Sequence, residues 1–145
     1  MKHYTPSNYN PTTSVGLTLT RARNILSTEM DAALRDLEVT STQLGIILSM
    51  AHGLASTPFE LSKMLDIDTG LMTRILDKLE KQDLLTRVRS VDDRRMVNLT
   101  LTAKGRSTAA EIAQRAPDVL NRRLKNFSAT EFKEFHRLLL KFTGS

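Results

Sequence analysis

The clearest pattern of apolar and polar positions runs from residue 57 to residue 105. Thr57-Pro58-Phe59-Glu60 places a hydroxyl cap, a proline at the first helical position and a glutamate three residues after the cap, an arrangement that starts a helix. Leu61, Met64 and Leu65 fall on one side of that helix, and Asp66-Ile67-Asp68 ends it after about two turns. Asp68 then caps a second helix, in which Met72, Ile75, Leu76 and Leu79 recur at i, i+3, i+4 and i+7 and form a stripe that must be buried. After this the period changes to two. Thr86-Arg87-Val88-Arg89 alternates as a strand, and Val97, Leu99 and Leu101 alternate with Met96, Asn98 and Thr100 over a second strand. The two strands should pair as a hairpin, with Ser90-Val91-Asp92-Asp93-Arg94-Arg95 at its tip.

Helical periodicity also marks both flanks. Residues 1 to 13 hold Pro6 and Pro11 among polar residues and read as an irregular arm. From Val15, the positions Leu19, Ala22, Leu26, Met30, Ala33 and Leu37 continue in steps of four and three, predicting a stripe about six turns long, widened by Leu17, Ile25 and Leu34. Thr40 with Gln43 forms a capping-box pair ahead of Leu44, Ile47, Leu48 and Ala51, and Gly53 stops that helix. Beyond the hairpin Thr102 caps a long helix carrying Ala109, Ala113, Ala116, Leu120, Leu124 and Phe127, which Pro117 should bend. Ser128 with Glu131 starts a last helix with Phe132, Phe135, Leu139 and Phe142. Met30, Met50, Met64 and Met72 fit helix cores. The expected fold is mainly α with a small β-hairpin wing: a winged helix-turn-helix with N- and C-terminal helices forming a dimerisation lobe.

A winged helix-turn-helix is a way of presenting one helix to a DNA groove, so the face opposite the Met72–Leu79 stripe is where chemistry is sought. It carries Thr69, Gly70, Thr73 and Arg74. Small residues let a helix N-terminus approach the groove, threonine bonds base edges or meets a thymine methyl, and arginine binds guanine or phosphate. Ser62 and Lys63 on the preceding helix and Arg87 and Arg89 on the first strand are candidate phosphate contacts. Arg94 and Arg95 at the hairpin tip are placed to reach a neighbouring minor groove, with Asp93 two residues before Arg95 to hold it extended. Each residue also has a plainer reading: a solvated helix face for Arg74, a cap or back-bonded hydroxyl for Thr69 and Thr73, a tolerated first-turn glycine for Gly70.

The segment Asp68-Thr69-Gly70-Leu71-Met72-Thr73-Arg74-Ile75-Leu76-Asp77-Lys78-Leu79, then Leu84-Leu85, then Asp93-x-Arg95, five residues and Leu101-Thr102-x-x-Gly105 resembles the MarR-type winged-helix transcriptional regulators. The motifs are long and in the right order, and with the flanking helices the resemblance covers nearly the whole chain. It implies that the terminal helices interlock as a two-fold homodimer. It also implies that a small, often aromatic or phenolic, effector binds between the dimerisation helices and the winged lobe and changes the spacing of the two recognition helices.

Composition narrows the alternatives. The chain has 145 residues, 40% of them hydrophobic and 26% charged, and no apolar run long enough to cross a bilayer. The polar N-terminus lacks the basic-then-apolar plan of a secretion signal, so a cytoplasmic protein with no membrane partner is expected. There are no cysteines, which excludes disulfides, thiolate zinc sites and thiol-based peroxide sensing. The net charge is +5, and residues 68 to 106 contribute nine Lys and Arg against six Asp and Glu, a modest excess suited to a polyanion. His3, His52 and His136 show no ligand spacing, and no cofactor or metal is expected. His52, at the end of the second predicted helix, is a weak candidate for a small-molecule pocket, against the plainer reading of an exposed polar helix end.

These readings divide the chain into an arm and dimerisation helix over 1–37, a winged helix-turn-helix DNA-binding domain over 40–101, and C-terminal dimerisation helices over 102–145. The expected function is a ligand-responsive repressor that binds a pseudo-palindromic double-stranded DNA operator as a homodimer. The rival readings are a winged-helix module that binds protein, and a ligand-independent activator. An enzyme would need a nucleophile with its base, a carboxylate pair in a cleft or a phosphate-cradling loop, and the sequence offers none of these.

Overall fold

The computed structural model describes residues 1–91 and 96–144. Its elements are α1 (Val15–Ala33), α2 (Ser41–Ala51), α3 (Pro58–Leu65), α4 (Thr69–Lys81), β1 (Leu85–Arg89), β2 (Val97–Leu101), α5 (Ala103–Leu124) and α6 (Ala129–Thr143), with short 3-10 turns at Pro11–Thr13 and Arg35–Leu37. The strands form a two-stranded antiparallel sheet in which Leu85 faces Leu101, Arg87 faces Leu99 and Arg89 faces Val97. No helix among the described residues is long and apolar enough to cross a membrane.

Capping chemistry sets the helix starts. Thr40, Thr57 and Ser128 each accept from the backbone N–H three residues on, and Gln43, Glu60 and Glu131 reach back to close the capping box. Ser14, Asp68 and Thr102 cap α1, α4 and α5 in the simpler way. Proline 58 stands at the first position of α3, where its missing N–H costs no intrahelical bond.

The core is one contiguous cluster. Met30, Leu34 and Val39 from the α1–α2 region meet Ile46 and Ile47 of α2, Leu61 of α3, the complete α4 stripe, Leu85, Leu99 and Leu101 of the hairpin, and Ala109, Ile112 and Val119 of α5. Burying each large aliphatic side chain contributes about 1.5–3 kcal/mol.

The structure departs from the sequence reading at four places. The first helix ends at Ala33 rather than running to Leu37, because the chain tightens into a 3-10 turn and then leaves through Glu38 at φ 55°. Met64, expected in the core, is 45% exposed, since α3 turns Leu61 rather than Met64 inward. In α2 the buried aliphatics are Ile46 and Ile47, while Ala51 is exposed. In α5 the buried face is Gly105, Thr108, Ala109, Ile112 and Val119, whereas Ala113 and Leu120 of the expected stripe are exposed, and the helix ends at Leu124, short of the exposed Phe127.

Gly105 has a specific reason to lack a side chain. A Cβ there would collide with the Leu84 carbonyl oxygen, because the first turn of α5 lies directly against the chain leaving α4.

Candidate nucleic-acid interface

Two short helices and one tight turn build the central surface. The chain leaves α3 through Asp66 at φ 51°, and the Asp68 carboxylate then accepts from Leu71 N at 3.0 Å to start α4. Met72, Ile75, Leu76 and Leu79 are all buried, which fixes the rotation of α4 about its axis. Thr69, Gly70, Thr73 and Arg74 consequently share the exposed side of its first two turns.

Local geometry gives each of these residues a definite state. The Thr73 hydroxyl donates to the Thr69 carbonyl at 2.9 Å, so its oxygen lone pairs and methyl remain for an outside partner. A Cβ on Gly70 would stand 3.2 Å from the Asp68 carboxylate oxygen, so a larger residue would press on the helix cap. Arg74 is exposed and makes no ion pair with any described residue.

The expected phosphate-contacting side chains are in different situations. Ser62 turns its hydroxyl inward, where it is buried without a hydrogen-bond partner among the described residues, rather than toward solvent. Lys63 is exposed, with Nζ 4.8 Å from the centroid of the Phe59 ring. Arg87 projects from the same side of β1 as buried Leu85. Its guanidinium pairs with Asp77 and lies 3.5 Å from Glu80, both on α4, so it fastens the hairpin to that helix. Arg89 is exposed at the end of the strand. Asp93, Arg94 and Arg95 lie outside the described residues.

Two concavities lie away from the exposed face of α4. His52 is the exposed C-cap of α2 and lines a cleft of about 560 Å³ between α2, β2 and α5, whose wall includes Leu48, Ala55, Leu101, Arg106 and Ala109. The second, about 530 Å³, is an apolar groove in which Ile25 and Leu26 of α1 face Leu120 and Leu124 of α5 and Phe132 and Phe135 of α6. Ion pairs knit the helices around the groove. Arg123 binds Glu29 and holds its carboxyl below the usual range, and Arg115 does the same to Asp36 at 2.6 Å while also reaching the Ala33 carbonyl.

Sequence reasoning did not find the polar junction behind α4. Gln43 of α2, 2% exposed, donates to the Gln82 side-chain oxygen at 2.8 Å, and Gln82 donates to the Glu38 carbonyl at 2.7 Å. Gln43 and Gln82 lie 39 residues apart, so no local pattern connects them. The one signal available was a glutamine in a stretch of α2 that is otherwise largely apolar.

Comparison with known proteins gives this geometry a context. Residues 39–97 match the MarR family model. Over 131 residues the chain is 35% identical to an HTH-type transcriptional repressor of Mycobacterium tuberculosis, covering 88% of this chain and 91% of that protein. It is also 34% identical over 109 residues to the multiple antibiotic resistance protein MarR of Salmonella typhimurium, covering 74% and 76% of the two chains. Among solved structures, a mutant MarR from E. coli complexed with operator DNA superposes with a TM-score of 0.82 at 27% identity, over 93% of this chain and 97% of that one. The S. aureus MepR–DNA complex shares the fold, with a TM-score of 0.84 at 16% identity over 90% and 97% of the chains. With a winged helix-turn-helix fold and relatives of this identity and coverage, the chain belongs to the MarR family and is a DNA-binding transcriptional regulator.

Proposed function

We propose that the protein is a repressor that binds an inverted-repeat operator as a homodimer and releases it when a small aromatic or phenolic molecule binds. The observation that carries the dimer is α6. None of its residues is buried, and Phe132, Phe135, Leu138, Leu140 and Phe142 are each at least 42% exposed in the single chain. An apolar surface of this size on a protein of 145 residues calls for a cover. A second copy supplies one through the same groove, since a two-fold interface pairs a patch with itself.

In this reading Arg74, Thr69, Gly70 and Thr73 of each copy face the major groove, with Lys63 and Arg89 toward phosphates and Asp93, Arg94 and Arg95 serving the wing. Arg87 acts through its hold on α4. Two such helices meet one side of the duplex about one turn, roughly 34 Å, apart, which is why the operator should be an inverted repeat. The cleft beside His52 and Arg106 lies between the reader and α5, and it is where we place the effector. A ligand there loosens DNA only by its differential affinity for the two spacings. The HTH-type repressor of M. tuberculosis and the Bordetella bronchiseptica BpsR structure, whose DNA binding is regulated by 6-hydroxynicotinic acid, support the regulatory part by likeness. The cytoplasm is the compartment where such a regulator would act.

The test is a selection of protein-bound fragments from the source genome with wild type and Arg74→Ala. Recovery of one inverted repeat by the wild type and its loss in the variant is the expected result; unrelated fragments from both would refute specific regulation. A thermal-shift screen with phenolic acids checks the effector, and a flat response across all of them would remove that part.

A further inference from the structure

The recognition helix is held most tightly at the end far from its exposed threonines and arginine. Four side-chain bonds converge on the residues where α4 stops. Gln82, its C-cap, accepts from Gln43 at 2.8 Å and donates to the Glu38 carbonyl at 2.7 Å; its own carbonyl accepts from Lys104 Nζ at 2.8 Å. The next carbonyl, that of Asp83, accepts from the Thr102 hydroxyl at 2.6 Å. Backbone bonds add to these, with Thr102 N donating to the Leu84 carbonyl at 3.1 Å. Asp83 itself sits at φ 59°, so the chain turns sharply at this node.

The partners come from two directions. Glu38 and Gln43 belong to the α1–α2 junction, and Gln43 also accepts from the Thr40 N–H at 3.0 Å, so one amide chain runs from the α2 cap through both glutamines to the turn after α1. Thr102 and Lys104 belong to the start of α5. Both α1 and α5 line the apolar groove.

Apolar packing of the Met72–Leu79 stripe holds α4 against the core but is non-directional, and by itself tolerates small tilts. Hydrogen bonds have narrow angular limits. We infer that the Gln43–Gln82–Glu38 amide chain is the positioning device that sets the angle of α4 against the helices flanking the groove. On this account it determines how well the protein discriminates its operator without any contact to DNA. Leverage explains why a remote bond matters: Thr69 lies about 20 Å along the helix from Gln82, so a tilt of about 10° moves it by roughly 3 Å, a whole hydrogen-bond length.

Phosphate attraction survives such a tilt, because charge acts over about a Debye length of roughly 10 Å. Base readout does not. Disturbing the node therefore separates the two kinds of binding, whereas a loss of folded protein would weaken both together.

The inference rests on the proposed DNA reading, and the experiment keeps the two apart. Binding of wild type, Gln82→Met and Gln82→Ala to the duplex recovered by selection and to a random duplex of equal length is measured by fluorescence anisotropy at low temperature, with far-UV circular dichroism confirming folding. A wild type that does not distinguish the duplexes defeats the function proposed above. Given a discriminating wild type, Gln82→Met should lose about tenfold on the selected duplex and less than twofold on the random one. Equal loss on both duplexes, or no loss on either, overturns the positioning role. Should the Gln82 variants fail to fold, Gln43→Met breaks the same amide chain at its other glutamine without changing charge and should show the same split at about threefold. A uniform or absent effect there again refutes the inference.

Discussion

Helices α4 and α6 are both amphipathic, yet they end up in opposite circumstances. In α4, 13 residues long, the whole stripe of Met72, Ile75, Leu76 and Leu79 is buried within its own chain. In α6, 15 residues long, no residue is buried, and the aromatic side chains stay at 40% exposure or more. Both start from well-formed caps, so local propensity does not separate them. What differs is the supply of partners: α4 packs against α3 and β1, whereas the apolar face of α6 lines a groove with α1 and α5 and stays exposed. An amphipathic stripe thus records that a helix must be covered, without recording whether the cover lies in the same chain.

The sharpest way to break this contrast is to truncate both stripes. Leu79, fully buried, should lose about 2–5 kcal/mol on substitution by alanine, read from denaturant unfolding at any protein concentration. Phe135→Ala should leave the far-UV spectrum of the chain intact while weakening or abolishing the concentration dependence of the unfolding midpoint expected of a wild-type dimer, because a dimer's stability is tied to protomer concentration. If Leu79→Ala were harmless, or the midpoint depended on concentration no more in the wild type than in Phe135→Ala, the division between the two helices would be wrong.

A smaller effect is expected at the junction below the wing. Gly105→Ala must push the first turn of α5 off the Leu84 carbonyl, at a cost of about 1–3 kcal/mol in the same unfolding assay. Thr57→Ala removes one bond of the α3 capping box and should cost about 1 kcal/mol. On the exposed face of α4, Arg74→Ala should change stability by less than about 0.5 kcal/mol while weakening operator binding by about 1–3 kcal/mol, which separates reading from folding.

Acid should reveal the caps and ion pairs. Glu29, Asp36, Glu60, Glu131 and Glu134 all have carboxyls held below their ordinary values, by Arg123, Arg115, the Ser56 N–H, the Ser128 N–H and Arg137 respectively. A carboxyl lowered in the folded state contributes stability that is full above its unfolded pKa and is lost as pH falls through the folded one. The thermal midpoint should therefore hold near neutrality and decline below pH 4.5, the ordinary glutamate value. Glu60→Gln should flatten part of that decline.

Much of this architecture was legible because short-range rules governed it. The capping boxes at Thr40, Thr57 and Ser128, the break at Asp66, the α4 stripe and the hairpin all follow from residues within a few positions of one another. The misreadings came where distant contacts decided. Helix α5 carries small or apolar residues on two faces, and periodicity could not tell that Ile112 and Val119 turn into the chain while Leu120 turns out of it. The pairing of Arg87, a candidate phosphate contact, was not legible because its carboxylate partners stand on α4. Likewise, Ser62 occupies an exposed-looking position in a two-turn helix, yet its hydroxyl points inward.

The central claim is that two copies joined through the α1, α5 and α6 groove present two α4 helices to one duplex. Native mass spectrometry of the protein with its selected operator duplex tests this directly. The account predicts a complex of two chains per duplex that Phe135→Ala converts to free chains and free duplex. A single chain bound tightly to the duplex, unchanged by that substitution, would contradict it.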